Sequence, residues 1–94
     1  KAADMQIVRN LAVEFGKDNI RVNCIAPGLV KTNFARVLYE DPKVAAEKSA
    51  GTPMRRLGES VDLAGIAVYL ASKAGAWTTG QTFCIDGGVT IAGG

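Results

Sequence analysis

The chain has no histidine among its 94 residues. Imidazole acid/base catalysis and imidazole-ligated metal sites are therefore excluded within it. Cysteine is scarce as well, with only Cys24 and Cys84. Two thiols do not make a disulfide framework, and they are too few for a structural zinc site. No metal site is expected. Each cysteine lies in a short apolar run, so the expectation is a pair of inert, buried thiols in a cytoplasmic protein. No apolar stretch approaches the roughly 20 residues that cross a bilayer, so no membrane partner is expected. Lysine and arginine are scattered, and the net charge is only +2. No basic run offers itself to nucleic acid, which is not an expected partner. The chain also lacks a G-x-G-x-x-G phosphate loop and an initiating Met. Lys1 falls inside a helical pattern, which reads as truncation.

What is present is an ordinary globular balance. Hydrophobic residues make up 48% and charged residues 21%. This speaks against disorder, and the length suits one small domain. Residues 1–15 read as an amphipathic helix, with Met5, Val8, Leu11, Ala12 and Phe15 on one face. Gly16 is expected to stop it. Ile20 to Ala26 is short, apolar and rich in β-branched residues, the pattern of a strand. Pro27-Gly28 ends it.

Leu29 to Gly58 is less regular. Thr32 or Asn33 is expected to cap a helix that carries Phe34, Val37 and Leu38. Asp41 then caps a second helix with Pro42 at its first position, running to about Ser49. Gly51-Thr52-Pro53 breaks it. Ser60 is expected to cap a third helix, with Asp62 in its first turn and a stripe of Leu63, Ile66, Ala67 and Leu70. Ser72 to Gly80 reads as loop, and Gln81 to Ile85 as a second strand closed by Asp86-Gly87-Gly88. Val89 to Gly94 is a glycine-rich surface or interface tail. Strands joined through helices imply parallel pairing. Parallel strands are normally covered on both faces and seldom stop at two. The expected class is therefore α/β, with two strands plus about four helices as part of a larger sheet.

Four blocks carry a resemblance: KAADMQIVRNLAVEFG from Lys1, IRVNCIAPGLVKT from Ile20, PMRRLGESVDLAGIAVYLAS from Pro53 and TGQTFCIDGG from Thr79. In order and spacing they are similar to the C-terminal part of classical short-chain dehydrogenases/reductases. The resemblance covers most of the chain. It implies the C-terminal part of a Rossmann-like doubly wound parallel sheet, with residues 1–94 one segment of a single NAD(P)-binding domain whose N-terminal cofactor half is missing. It implies an oxidoreductase that passes hydride between NAD or NADP and a small alcohol/carbonyl substrate, assembled as a dimer or tetramer of identical chains. Lys1 matches the lysine of the family's Tyr-x-x-x-Lys motif, which binds the ribose hydroxyls and lowers the pKa of the acid/base tyrosine. Pro27 and Gly28 match the turn against the nicotinamide. Val30 matches the residue whose backbone meets the carboxamide, and Thr32 the residue bonded to the amide or the phosphates. The residues alone also allow Thr32 as a simple helix cap and Pro27-Gly28 as a simple turn.

Two internal pairs imitate the catalytic spacing. Tyr-x-x-x-Lys works when both side chains share a helix face, so that the ammonium favours the phenolate. Pro42 interrupts Tyr39 and Lys43. Lys73 of the Tyr69/Lys73 pair falls where its helix runs out. Lys1 is the better match, but the tyrosine, the serine and the phosphate loop that would complete the site lie outside these residues. The isolated chain is thus expected to be inactive. Its alternatives are a non-catalytic assembly module, or a segment of a relative that uses the same scaffold for epimerisation or dehydration. Phe34, Val37, Leu38 and Tyr39 could line an apolar substrate pocket or merely pack their helices.

Overall fold

The computed structural model describes residues 2–92. Helices and strands follow in the order α1 (Ala2–Phe15), β1 (Cys24–Pro27), α2 (Pro42–Ala50), α3 (Val61–Ala71) and β2 (Thr82–Ile85). β1 and β2 pair in a two-stranded sheet. Their backbone bonds advance in the same direction on both strands. Gly80 N donates to Val22 O (2.8 Å), Cys24 N to Gln81 O (2.9 Å) and Gly28 N to Ile85 O (3.0 Å). The pairing is parallel, as helical crossovers require, and the class is α/β. No described helix is long and apolar enough to cross a membrane.

The chain divides into two compact units. The first comprises residues 2–26 and 65–83. The stripe expected on α1 is its inner face: Ala12 is buried, and Met5, Val8, Leu11 and Phe15 are half-buried. Ile7 and Val13, off that stripe, are exposed. α1 ends at Phe15, ahead of Gly16 as expected; the chain then tightens into a 3-10 turn over Gly16–Asp18, and Asn19 makes the left-handed exit at φ 60°. Asparagine tolerates that region because its short polar side chain bonds locally. The strand also starts later than Ile20. Val22 N donates to Thr79 Oγ1 (3.0 Å), and Asn23 donates to Thr78 O (2.9 Å) while accepting from Gln81 N (3.1 Å). Side chains thus satisfy part of the backbone there, and a regular ladder begins only at Cys24.

The second unit comprises residues 27–64 and 84–92. Asp41 caps α2 as expected, its carboxylate accepting from Lys43 N (2.9 Å), with Pro42 in the first turn. Thr52 is buried behind that helix. Its hydroxyl donates to Ser49 O (3.0 Å) and accepts from Arg56 N (3.1 Å). Leu57 is the most buried apolar side chain of this unit. α3 begins at Val61, directly after Ser60, with Asp62 in its first turn as expected; the Asp62 carboxylate reaches back to Glu59 N (2.7 Å).

Two expectations are corrected. The helix foreseen after Thr32 is only a turn followed by a 3-10 segment, Arg36–Leu38. It must end before Pro42, whose ring disfavours helical backbone just ahead of it, and too few residues remain to offset helix nucleation. The cysteines are not core thiols: Cys24 is half-buried and Cys84 exposed. A strand buries both faces only when layers cover both. Within this two-stranded sheet Ala26 alone is fully buried.

Candidate functional site

The expected cofactor residues Pro27, Gly28, Val30 and Thr32 all lie in the second unit, on one segment leaving β1. Lys1 lies outside the described residues. Pro27 is the last residue of β1, and on the side away from β2 it has no N–H to give. Gly28 still donates to Ile85 O (3.0 Å) and then passes very close to Asp86. A Cβ on Gly28 would stand 2.9 Å from both Asp86 Cα and Asp86 Cβ. The bare side of this glycine is therefore filled by protein. Any ligand at the turn meets Gly28 from another direction. Asp86 is itself held, its carboxylate accepting from Gly88 N (2.9 Å), Thr90 N (3.3 Å) and the Thr90 hydroxyl.

The next residues form a short parallel bridge in which Val30 faces Gly58. Gly58 N donates to Leu29 O (2.9 Å), and Lys31 N donates to Gly58 O (2.9 Å). Peptide groups of an extended segment alternate in direction. The two bonds to Gly58 use the groups flanking Val30, so Val30's own N–H and C=O point to the opposite side. Among the described residues neither of them has a hydrogen-bond partner. A donor and an acceptor thus stand side by side on a fixed extended segment. That is the complement of a primary amide, which offers one C=O and one NH2.

Thr32 is exposed, and its Oγ1 accepts from Ala35 N (3.3 Å). It caps the turn, yet its hydroxyl proton has no acceptor among the described residues and is open to an amide or phosphate oxygen. Phe34 and Val37 beyond it are 99% and 82% exposed. In the described structure they line nothing.

Gly58 is in turn fixed by charge. Arg56 Nη1 and Nη2 bind Asp62 Oδ2 and Oδ1 at 2.8 and 3.1 Å, a bidentate pair. The hydrogen bond from Arg56, then that from Glu59 N, lowers the Asp62 carboxyl from 3.8 to about 2. The same pair raises the Arg56 guanidinium above its ordinary value, first through the hydrogen bond and then through the charge of Asp62. A cavity of about 280 Å³ opens beside this arrangement, lined by Gly28, Val30, Met54, Arg56, Gly58 and Asp86 among others.

The sequence points to the Pro27–Thr32 segment but not to the Arg56–Asp62 pair beside it. A pair formed across a loop has no periodicity to signal it. The Tyr-x-x-x-Lys lookalikes are not helical pairs. α3 ends at Ala71, which places Lys73 in a separate 3-10 turn, Lys73–Gly75, and Tyr69 Oη lies 2.7 Å from Thr78 Oγ1. Tyr39 ends the Arg36–Leu38 turn, and Lys43 belongs to α2. Among the described residues, no three or more Cys, Asp or Glu gather as a metal site would require.

Known proteins are similar to this chain along nearly its whole length. A family model described as enoyl-(acyl carrier protein) reductase matches residues 1–90. Dehydrogenase/reductase SDR family member 4 of Bos taurus is 41% identical over 88 residues, covering 94% of this chain and 32% of the relative. A solved 4-hydroxyisoleucine dehydrogenase, complexed with NADH, superposes with a TM-score of 0.88 at 31% identity, over 96% of this chain and 37% of that one. The active-site complex of Pseudomonas aeruginosa RhlG with NADP gives 0.86 at 41% identity, over 94% and 36%. The chain spans about a third of the length of these relatives. With a family model matched along nearly all of it, and with a relative of that family at 41% identity over 94% of it, the chain belongs to the short-chain dehydrogenase/reductase family.

Proposed function

We propose that these residues are the C-terminal segment of one Rossmann-like domain in an NAD(P)-dependent oxidoreductase acting on small alcohols or carbonyl compounds. One observation carries the reading. Val30 presents an unpaired N–H and C=O on a segment whose flanking peptide groups are fixed by Gly58. The carboxamide of a nicotinamide fits that donor–acceptor pair. The bound cofactor would supply the hydride chemistry. The protein's part is to fix the ring. Val30 would hold the carboxamide through two backbone bonds, Thr32 would donate its hydroxyl proton to an amide or phosphate oxygen, and Pro27-Gly28 would set the level at which the ring lies. Lys1 would bind the ribose and lower the pKa of a tyrosine that precedes it in a longer chain. NADH- and NADP-bound relatives support the choice of cofactor.

The test is turnover. The full-length protein should oxidise NADH or NADPH with a panel of ketones and aldehydes, and the isolated 94-residue chain should not. Failure of the full-length protein both to bind and to oxidise either cofactor would overturn the reading. Activity of the isolated chain would overturn the division of labour.

A further inference from the structure

A half-buried segment keeps two backbone groups of Val30 aimed away from its own pairing partner. The groups lie on a bridge of two hydrogen bonds, and both end on Gly58. The direction of Val30's peptide groups therefore depends on where Gly58 stands. Moving the pairing by one residue would turn the flanking groups outward and Val30's own groups inward.

Gly58 sits in the middle of a closed ring of contacts. Asp62 Oδ2 accepts from Arg56 Nη1 (2.8 Å) and from Glu59 N (2.7 Å), so one carboxylate draws together the residues on either side of Gly58. Arg56 Nη1 also donates to Leu57 O (3.1 Å), and Arg56 N donates to the buried Thr52 hydroxyl (3.1 Å). The fit against the bridge is close. A Cβ on Gly58 would stand 3.2 Å from Val30 Cγ2. The ion pair is half-exposed, with side chains 50% and 30% accessible. A pair in such a setting adds little to stability. Its two-pronged geometry is worth more as a fixture, since it allows a single orientation.

We propose that Arg56 and Asp62 are positioning residues for the cofactor: they lock Gly58 so that the Val30 N–H and C=O face the carboxamide. They touch no cofactor themselves. The proposal rests on the cofactor reading, and the experiment separates the two. The full-length protein, its Asp62→Asn variant and its Arg56→Lys variant are titrated with NAD(P)H and with the 3-acetylpyridine analogue. A methyl replaces the amide NH2 in the analogue, so it cannot donate to Val30 C=O.

The unaltered protein should prefer the natural cofactor by about fivefold to tenfold, the worth of one such hydrogen bond. Asp62→Asn keeps an acceptor for Glu59 N but loses the charged fork. Arg56→Lys keeps the charge but not the fork. Both should bring the preference close to one, since the natural cofactor loses its bonds to both Val30 groups and the analogue only the one from Val30 N–H. A purely structural role would weaken both ligands together and leave the ratio intact, and that result overturns the proposal. An unaltered protein that binds neither ligand, or does not distinguish them, overturns the cofactor reading and this inference with it.

Discussion

At the scale of single residues, the segment after β1 is shaped by what each residue lacks or leaves unused. Pro27 lacks an N–H, Gly28 lacks a side chain, and Val30 leaves its peptide groups unpaired. The first two were legible from sequence, because proline and glycine punctuate a chain by their own chemistry. The reason for the glycine was not. Asp86 fills the place of the missing Cβ, and it comes from the far end of the chain, beyond the reach of any local pattern. Gly28→Ala should therefore destabilise the full-length protein by about 1–3 kcal/mol, the usual cost of forcing an extra carbon into a filled space. Urea unfolding measures this. Unchanged stability would mean that the backbone at Gly28 yields freely and that the approach to Asp86 is not a constraint.

At the scale of elements, legibility followed the strength of the local signal. The stripe of α1 and the Asp41-Pro42 start of α2 were both readable, since periodicity and capping act within a few residues. The turn after Thr32 was misread as a helix. Thr32 does cap it, but Pro42 arrives before a stable helix can grow. The start of α3 directly after Ser60, with Asp62 in its first turn, was readable as that of α2 was, but the partners of Asp62, Arg56 and Glu59 N, were not. Those partners have a measurable consequence. The Asp62 carboxyl is lowered to about 2 by Arg56 and Glu59 N. A group lowered in the folded state stabilises it above the unfolded value, and that contribution is lost as pH falls through the folded value. The stability gap between the unaltered full-length protein and Asp62→Asn should therefore be constant above about pH 4.5 and close as pH falls toward about 2. Urea midpoints across that range test it. A gap that closes near neutral pH, or none at any pH, would contradict the pairing. Because both side chains are partly exposed, the gap should be small and should shrink with added salt.

At the scale of the whole molecule, the fold class and family were legible because four separated blocks recur in order, and the family model spans residues 1–90. What escaped was burial. The strands read as interior because their residues are apolar, yet Cys84 is exposed and no residue of β2 is fully buried. Apolar sequence reports a preference for burial, and neighbours must satisfy it. This chain spans about a third of its relatives' length, so the account of its function concerns a longer protein. Its central claim still rests on one residue, Val30. The direct measurement is the amide ¹⁵N–¹H spectrum of the full-length protein titrated with NADH or NADPH. The Val30 signal should move downfield as its N–H gains a carboxamide acceptor, while Lys31 and Gly58, already bonded to each other, move far less. A Val30 signal that stays in place while cofactor binds would contradict the account.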